Sequence, residues 1–180
     1  MSLSRLPWMA VLITLALYSC TPKVQFNEPM PPGRMNLPNI PKAMRGVIIE
    51  DGERWELGKD TLKMADEVLV NGEDFLLRRM AGHIILSQPV VETGRWEVFP
   101  IRKTKDTMYM GYFEDDDTFL KRMSTLLSAT PEQEKSASKP SYRYYVLSPT
   151  AKEFKTILKE RLYDGGEEGL PLPKGGEVRP

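Results

Sequence analysis

Residues 47–57 read Val-Ile-Ile-Glu-Asp-Gly-Glu-Arg-Trp-Glu-Leu, and this stretch sets the fold class. The apolar run Val47-Ile48-Ile49 meets Asp51-Gly52, a dipeptide that supplies the positive φ angles of a two-residue hairpin turn. Beyond the turn, Trp55 and Leu57 alternate with Arg54 and Glu56, the period of a half-buried strand. The same grammar continues downstream. Leu62 and Met64 alternate with Thr61 and Lys63, and Val68 and Val70 precede Asn71-Gly72, a second hairpin signal. Phe75-Leu76-Leu77 and Ile84 to Leu86 follow, then Trp96 and Val98 against Arg95 and Glu97, then Met108, Met110 and Tyr112. Period two with a turn every eight to twelve residues predicts an antiparallel meander over 45–113. Pro100 within its run predicts an edge or a bulge, and Gly111 a bulge or a close approach.

After residue 113 the period changes. Glu114 to Asp117 precede Phe119, Leu120, Met123, Leu126 and Leu127, which share one helical face. Acidic residues at such a helix start complement its dipole. Residues 128–141 lack large apolar groups and read as a loop, and Tyr142 to Leu147 read as an aromatic-rich strand. Ser148-Pro149 offers a helix start, and Thr150 with Glu153 a capping box one step later. Phe154, Ile157, Leu158 and Leu162 line one face of that helix, and Gly165-Gly166 are placed to stop it. The expected class is therefore mainly β, α+β: a meander sheet, curled or closed as a small barrel, with a C-terminal helix packed on it. An open sheet with helices on one face is the alternative.

Composition narrows the function. The chain has 180 residues, 25 Lys+Arg against 25 Asp+Glu, one His and one Cys. Zero net charge argues against a general nucleic-acid binder. A single cysteine excludes an intrachain disulfide and any CxxC site. No P-loop, GxGxxG, HExxH or GxSxG is present, so neither a cofactor nor a catalytic residue is expected.

Residues 1–20 read as an address rather than as fold. Arg5 and the amino terminus precede an apolar run, Leu6 to Leu17, which is too short for an ordinary spanning helix. The run ends in Leu17-Tyr18-Ser19-Cys20. This resembles the lipobox of bacterial lipoprotein signal peptides: aliphatic at −3, small at −1, then cysteine. The resemblance implies a signal peptide over 1–19, lipidation of the Cys20 thiol, cleavage before it and acylation of the new amino terminus. Thr21 stands after the cysteine instead of Asp, which by similarity to enteric sorting rules implies the outer membrane. As a whole the chain is similar to small Gram-negative envelope lipoproteins with a β-rich soluble domain. The partner so implied is a lipid bilayer, held through acylated Cys20.

Residues 20–44 then form a lipidated, proline-rich tether, with Pro22, Pro29, Pro31, Pro32, Pro38 and Pro41. Extended, it would reach roughly 70 Å; Phe26 and Leu37 could instead pack on the body. The body spans 45–163. The tail, 164–180, has five glycines and three prolines and reads as disordered.

Four candidates for chemistry remain. His83 lies at a strand start and needs a nearby carboxylate or nucleophile to act. Glu114 to Asp117 lack the spacing of a calcium loop and read as a solvated helix start, so no metal site is expected. Lys152, Lys155, Lys159 and Arg161 make the last helix basic, which suits a solvated outer face. Trp55, Trp96, Tyr109 and Tyr144 could line a cavity for one apolar ligand, or fill a core. The expected role is a non-enzymatic interaction or structural module of the cell envelope. The alternative is a lipocalin-like carrier of an apolar small molecule, although Gly46 and Trp55 do not stand in the lipocalin relation.

Overall fold

The computed structural model describes residues 24–50, 53–64, 67–105, 107–137, 142–164 and 170–171. Cys20, the leader 1–19, the Asp51-Gly52 turn and most of the tail lie outside them. The protein is mainly β. Its strands are β1 (Val24–Phe26), β2 (Gly46–Glu50), β3 (Glu53–Leu57), β4 (Thr61–Met64), β5 (Glu67–Val70), β6 (Leu76–Met80), β7 (His83–Val90), β8 (Arg95–Lys103), β9 (Thr107–Met110), β10 (Glu132–Lys135), β11 (Arg143–Leu147) and β12 (Leu170–Pro171). Two helices, α1 (Asp117–Leu126) and α2 (Ala151–Glu160), complete the body.

The strands form two sheets. In the larger, the order is β10-β11-β1-β8-β7-β6, with β9 on the second half of β8 and β12 on β9. In the smaller, β2-β3-β4-β5 run as a plain meander. Among the described residues neither sheet closes into a barrel.

The larger sheet is buried on both faces, and β7 shows why. Ile85, with Phe26 and Val98, packs under the helices against Phe119, Met123, Phe154, Ile157 and Leu158. Ile84 and Leu86 point the other way, into a second core with Ile48, Leu57 and Trp55 of the smaller sheet. A strand covered on both sides is apolar throughout, as His83-Ile84-Ile85-Leu86 comes close to being.

Of the two readings that the proline-rich segment allows, its described part takes the packed one. Val24 and Phe26 are buried in the helix-covered core, and Ile40 and Met44 in the inter-sheet core. β1 is parallel to β11 and antiparallel to β8, in the middle of the sheet. Arg78 of β6 holds the rest: its Nη1 donates to the Pro29 and Pro31 carbonyls, and its Nε to Asn36 Oδ1 at 2.9 Å. The folded body thus includes residues from Val24 on, well before the boundary at 45.

Four local expectations are corrected. Asn71-Gly72 does not close a hairpin; β5 and β6 belong to different sheets, and the turn is held by Asp74 Oδ2 accepting from Val70 N at 2.7 Å. Residues 128–141 include β10, a polar edge strand paired with β11. Helix α2 ends before the glycines, because Arg161 itself adopts the left-handed cap (φ 52°). Within the tail, Leu170–Pro171 pair with β9. Pro100 is explained by a change of partner: β1 pairs β8 at Trp96, and β9 pairs it only from Ile101.

The capping box forms as read, with Thr150 Oγ1 accepting from Glu153 N. Glu153 also accepts from Ser128 N at 2.7 Å, tying the end of α1 to the start of α2. Burial pushes the Glu153 carboxyl up, but the donors from Thr150 and Ser128 outweigh it and bring its pKa to about 2. Glu153→Ala is expected to cost about 1 kcal/mol at pH 7 in urea unfolding. Because the folded pKa is depressed, that difference should be complete above pH 4.5 and fade as pH falls toward 2.

Candidate functional site

The four aromatic residues named as candidate ligand contacts are not gathered around one cavity. Trp55 packs in the inter-sheet core and Trp96 in the helix-covered core, on opposite faces of the larger sheet. Tyr109 lies under the Arg102 guanidinium, 4.4 Å from ring centre to Cζ. Tyr144 is buried and donates from its hydroxyl to Glu134 Oε2 at 2.8 Å. The Trp55 indole Nε1 is buried with no hydrogen-bond partner among the described residues. Cys20 lies outside the described residues.

His83 does meet a second polar group. Its Nδ1 lies 3.1 Å from the Ala81 carbonyl, which can only accept, so Nδ1 carries the proton. Nε2 is then an acceptor for the Tyr163 hydroxyl at 2.9 Å. Burial, with Arg102 and Arg161 close by, lowers the His83 pKa; burial raises that of Tyr163 against the same two arginines. Both groups are therefore neutral at pH 7, and the proton between them is committed to tyrosine. The pair has no carboxylate or nucleophile behind it among the groups that shift it, so it locks the chain after α2 onto the β6–β7 turn. Sequence reading missed it because the partners stand 80 residues apart.

Gly111 makes that lock possible. A Cβ there would lie 2.6 Å from Tyr163 Cε2, which is the close approach the sequence suggested. Gly111→Ala is expected to displace Tyr163, lose the His83 bond and cost about 1–3 kcal/mol in chemical denaturation. It should also return the His83 pKa, read by NMR titration, toward 6.5. An unchanged His83 titration would dismiss the coupling.

A second polar group lies on the face of β1, β8 and β11 turned away from the helices. Gln25 is fully buried and its Oε1 accepts from Thr93 Oγ1 at 2.6 Å. Arg95 pairs with Glu134 at 2.7 Å, and Glu134 also accepts from Tyr144. Glu97 follows on the same face; counting on from the Phe26–Trp96 pair, it stands opposite Gln25. Its carboxyl has no hydrogen-bond partner among the described residues, and burial raises its pKa to about 7. A carboxyl poised near neutrality beside buried polar groups can take up or release a proton at physiological pH.

The acidic run does structural work. Asp116 caps α1, with Oδ1 accepting from Thr118 N at 2.8 Å and Phe119 N at 3.0 Å. Among the described residues no group of three or more His, Cys, Asp or Glu could hold a metal ion. No helix among them is long and apolar enough to cross a membrane. Comparison of the chain with protein-family models, with curated proteins and with solved structures finds no match.

Proposed function

We propose that the protein is a lipid-anchored lipoprotein of the bacterial cell envelope, placed by its sorting residue at the outer membrane, whose folded body is a non-enzymatic interaction module. The observation that supports this best is a spacing. The lipobox cysteine stands at 20 and the first described core strand begins at Val24. Four residue steps span at most about 14 Å, whatever their conformation. Only residues 21–23 separate the lipobox cysteine from that strand, so an acyl anchor at Cys20 would hold the body close to the bilayer. An acyl chain contributes about 0.8 kcal/mol per buried CH₂, so two or three chains hold such a body firmly.

The test is metabolic palmitate labelling and intact mass of the full chain made in a bacterium. The wild type should carry acyl chains and sediment with membranes; Cys20→Ser should carry none. A wild type without lipid, or a labelled Cys20→Ser, would sink the proposal. A second reading, carriage of an apolar molecule between the sheets, is favoured by the unpaired Trp55 Nε1, which a guest acceptor would satisfy. Native mass spectrometry of the full chain in detergent would show a stoichiometric adduct if this reading holds.

A further inference from the structure

We propose that the end of the larger sheet bearing Arg102, Lys103, Lys105, Arg143 and Arg161 is a docking face for the anionic headgroups of a phospholipid surface. This rests on the lipid-anchor reading above. Strand direction gives the first argument. β1 is antiparallel to β8, so the N-terminal end of β1 points to the end of the sheet where β8 finishes and β7 begins. β1 is parallel to β11, so Arg143, two positions before the Val24–Tyr145 pair, flanks the same exit. Arg102 pairs with His83 at that end, and Arg161 lies close enough to act on the same histidine.

Length gives the second argument. Val24 stands level with Val98, counting from the Phe26–Trp96 pair, and Arg102 lies four residues further along β8. Four residues of strand measure about 13 Å. The four steps from Val24 back to Cys20 span about 14 Å at most. An acylated Cys20 therefore brings the headgroup layer to this end of the body and cannot carry it far away.

Charge gives the third. Lys103, Lys105, Arg143 and Arg161 are exposed and Arg102 half-buried. Among the described residues none of the five has a carboxylate partner; the ion pairs there join Arg54 to Glu56, Arg95 to Glu134 and Arg122 to Glu160. Asp164 follows Tyr163, but its carboxyl lies near Glu114 and Asp116 instead. Cations gathered at the tethered end, without a carboxylate partner among the described residues, are the pattern that a negative lipid surface attracts. Tyr109, half-buried beneath Arg102, is of the residue type that settles at headgroup depth.

The experiment uses the full protein recovered from bacterial membranes, with acylation of Cys20 verified by intact mass. It is reconstituted into phosphatidylcholine vesicles and into vesicles of equimolar phosphatidylcholine and phosphatidylglycerol. Lysines are then acetylated with an uncharged reagent. Lys103 and Lys105 should react about five-fold more slowly in the anionic vesicles, and high salt should abolish the difference. Lys152, at the opposite end of α2, should react equally in both. Charge reversal in an Arg102→Glu, Arg161→Glu double variant should remove the lipid dependence. Equal rates at Lys103 and Lys105 for an acylated protein, or a lipid dependence that survives the double reversal, would overturn the docking face and leave the anchor reading intact. A protein without acyl chains would overturn both.

Discussion

Phe26→Ala is expected to lower folding stability by about 3–5 kcal/mol. Domains of this size are typically stable by only about 5–15 kcal/mol, so a large part of the total would go. Phe26 is completely buried, and its ring meets Phe113 edge-on at 5.1 Å and Phe154 edge-on at 6.1 Å. Its backbone sits between Leu147 of β11 and Trp96 of β8. Removing the ring opens a cavity where two sheet neighbours and α2 converge, and none of them can move in without breaking register. The measurement is urea unfolding of wild type and variant, reading the midpoint at constant slope. A free tether would make the same substitution silent. A loss under about 1 kcal/mol would therefore dismiss β1 as a core strand.

That position also marks where the sequence stops being legible. The meander β2–β5 and the run β6–β9 could be read because each strand pairs with a neighbour a few residues away. Turn chemistry and period two then report the same answer. α1 and α2 were legible from the 3.6-residue stripe, and α2 also from Thr150 with Glu153. β1 is three residues long, carries Gln25 at its centre, and pairs with β11 at a separation of 121 residues. Nothing local announces such a strand; its proline-rich surroundings suggest extension, which is also what a short central strand needs. β10 hid for the opposite reason: Glu-Gln-Glu-Lys has no apolar alternation because it is an edge held by β11. Arg161 took the left-handed cap four residues before the glycines that normally supply it, since Tyr163 must turn back onto His83. In the sequence Glu97 is one of the polar residues of an alternating strand. Alternation cannot reveal that the face it points to is sheltered as well.

Glu97→Gln is expected to stabilise the protein at pH 8 by up to about 3 kcal/mol and to leave it unchanged at pH 4. The cause is the cost of ionising a half-buried carboxyl that no donor supports. Its pKa stands at about 7 in the fold against 4.5 in the unfolded chain. At 1.36 kcal/mol for each pKa unit, that gap is worth about 3 kcal/mol. A carboxyl raised in this way favours the fold fully below pH 4.5, and the benefit is lost as pH rises through 7. Glutamine keeps the shape and hydrogen-bonding capacity and cannot ionise, so the loss disappears. His83 works in the other direction. Its pKa is lowered by burial, so its contribution is complete above 6.5 and lost as pH falls below that value. The two contributions oppose each other below about pH 7, so the Glu97 part is read as the difference between variant and wild type in urea midpoints from pH 4 to 9. The gain from Glu97→Gln should open between pH 4.5 and 7 and stay constant above, while the rise due to His83 remains in both proteins. A difference that does not change between pH 4.5 and 7 would mean that the Glu97 carboxyl finds water or a donor in solution, and the neutral carboxyl beside Gln25 would have to be abandoned. A difference that opens over that range would mean that the chain tolerates, at neutral pH, a carboxyl it would be more stable without. Such a group is held against stability, which is where a binding function is most economically sought.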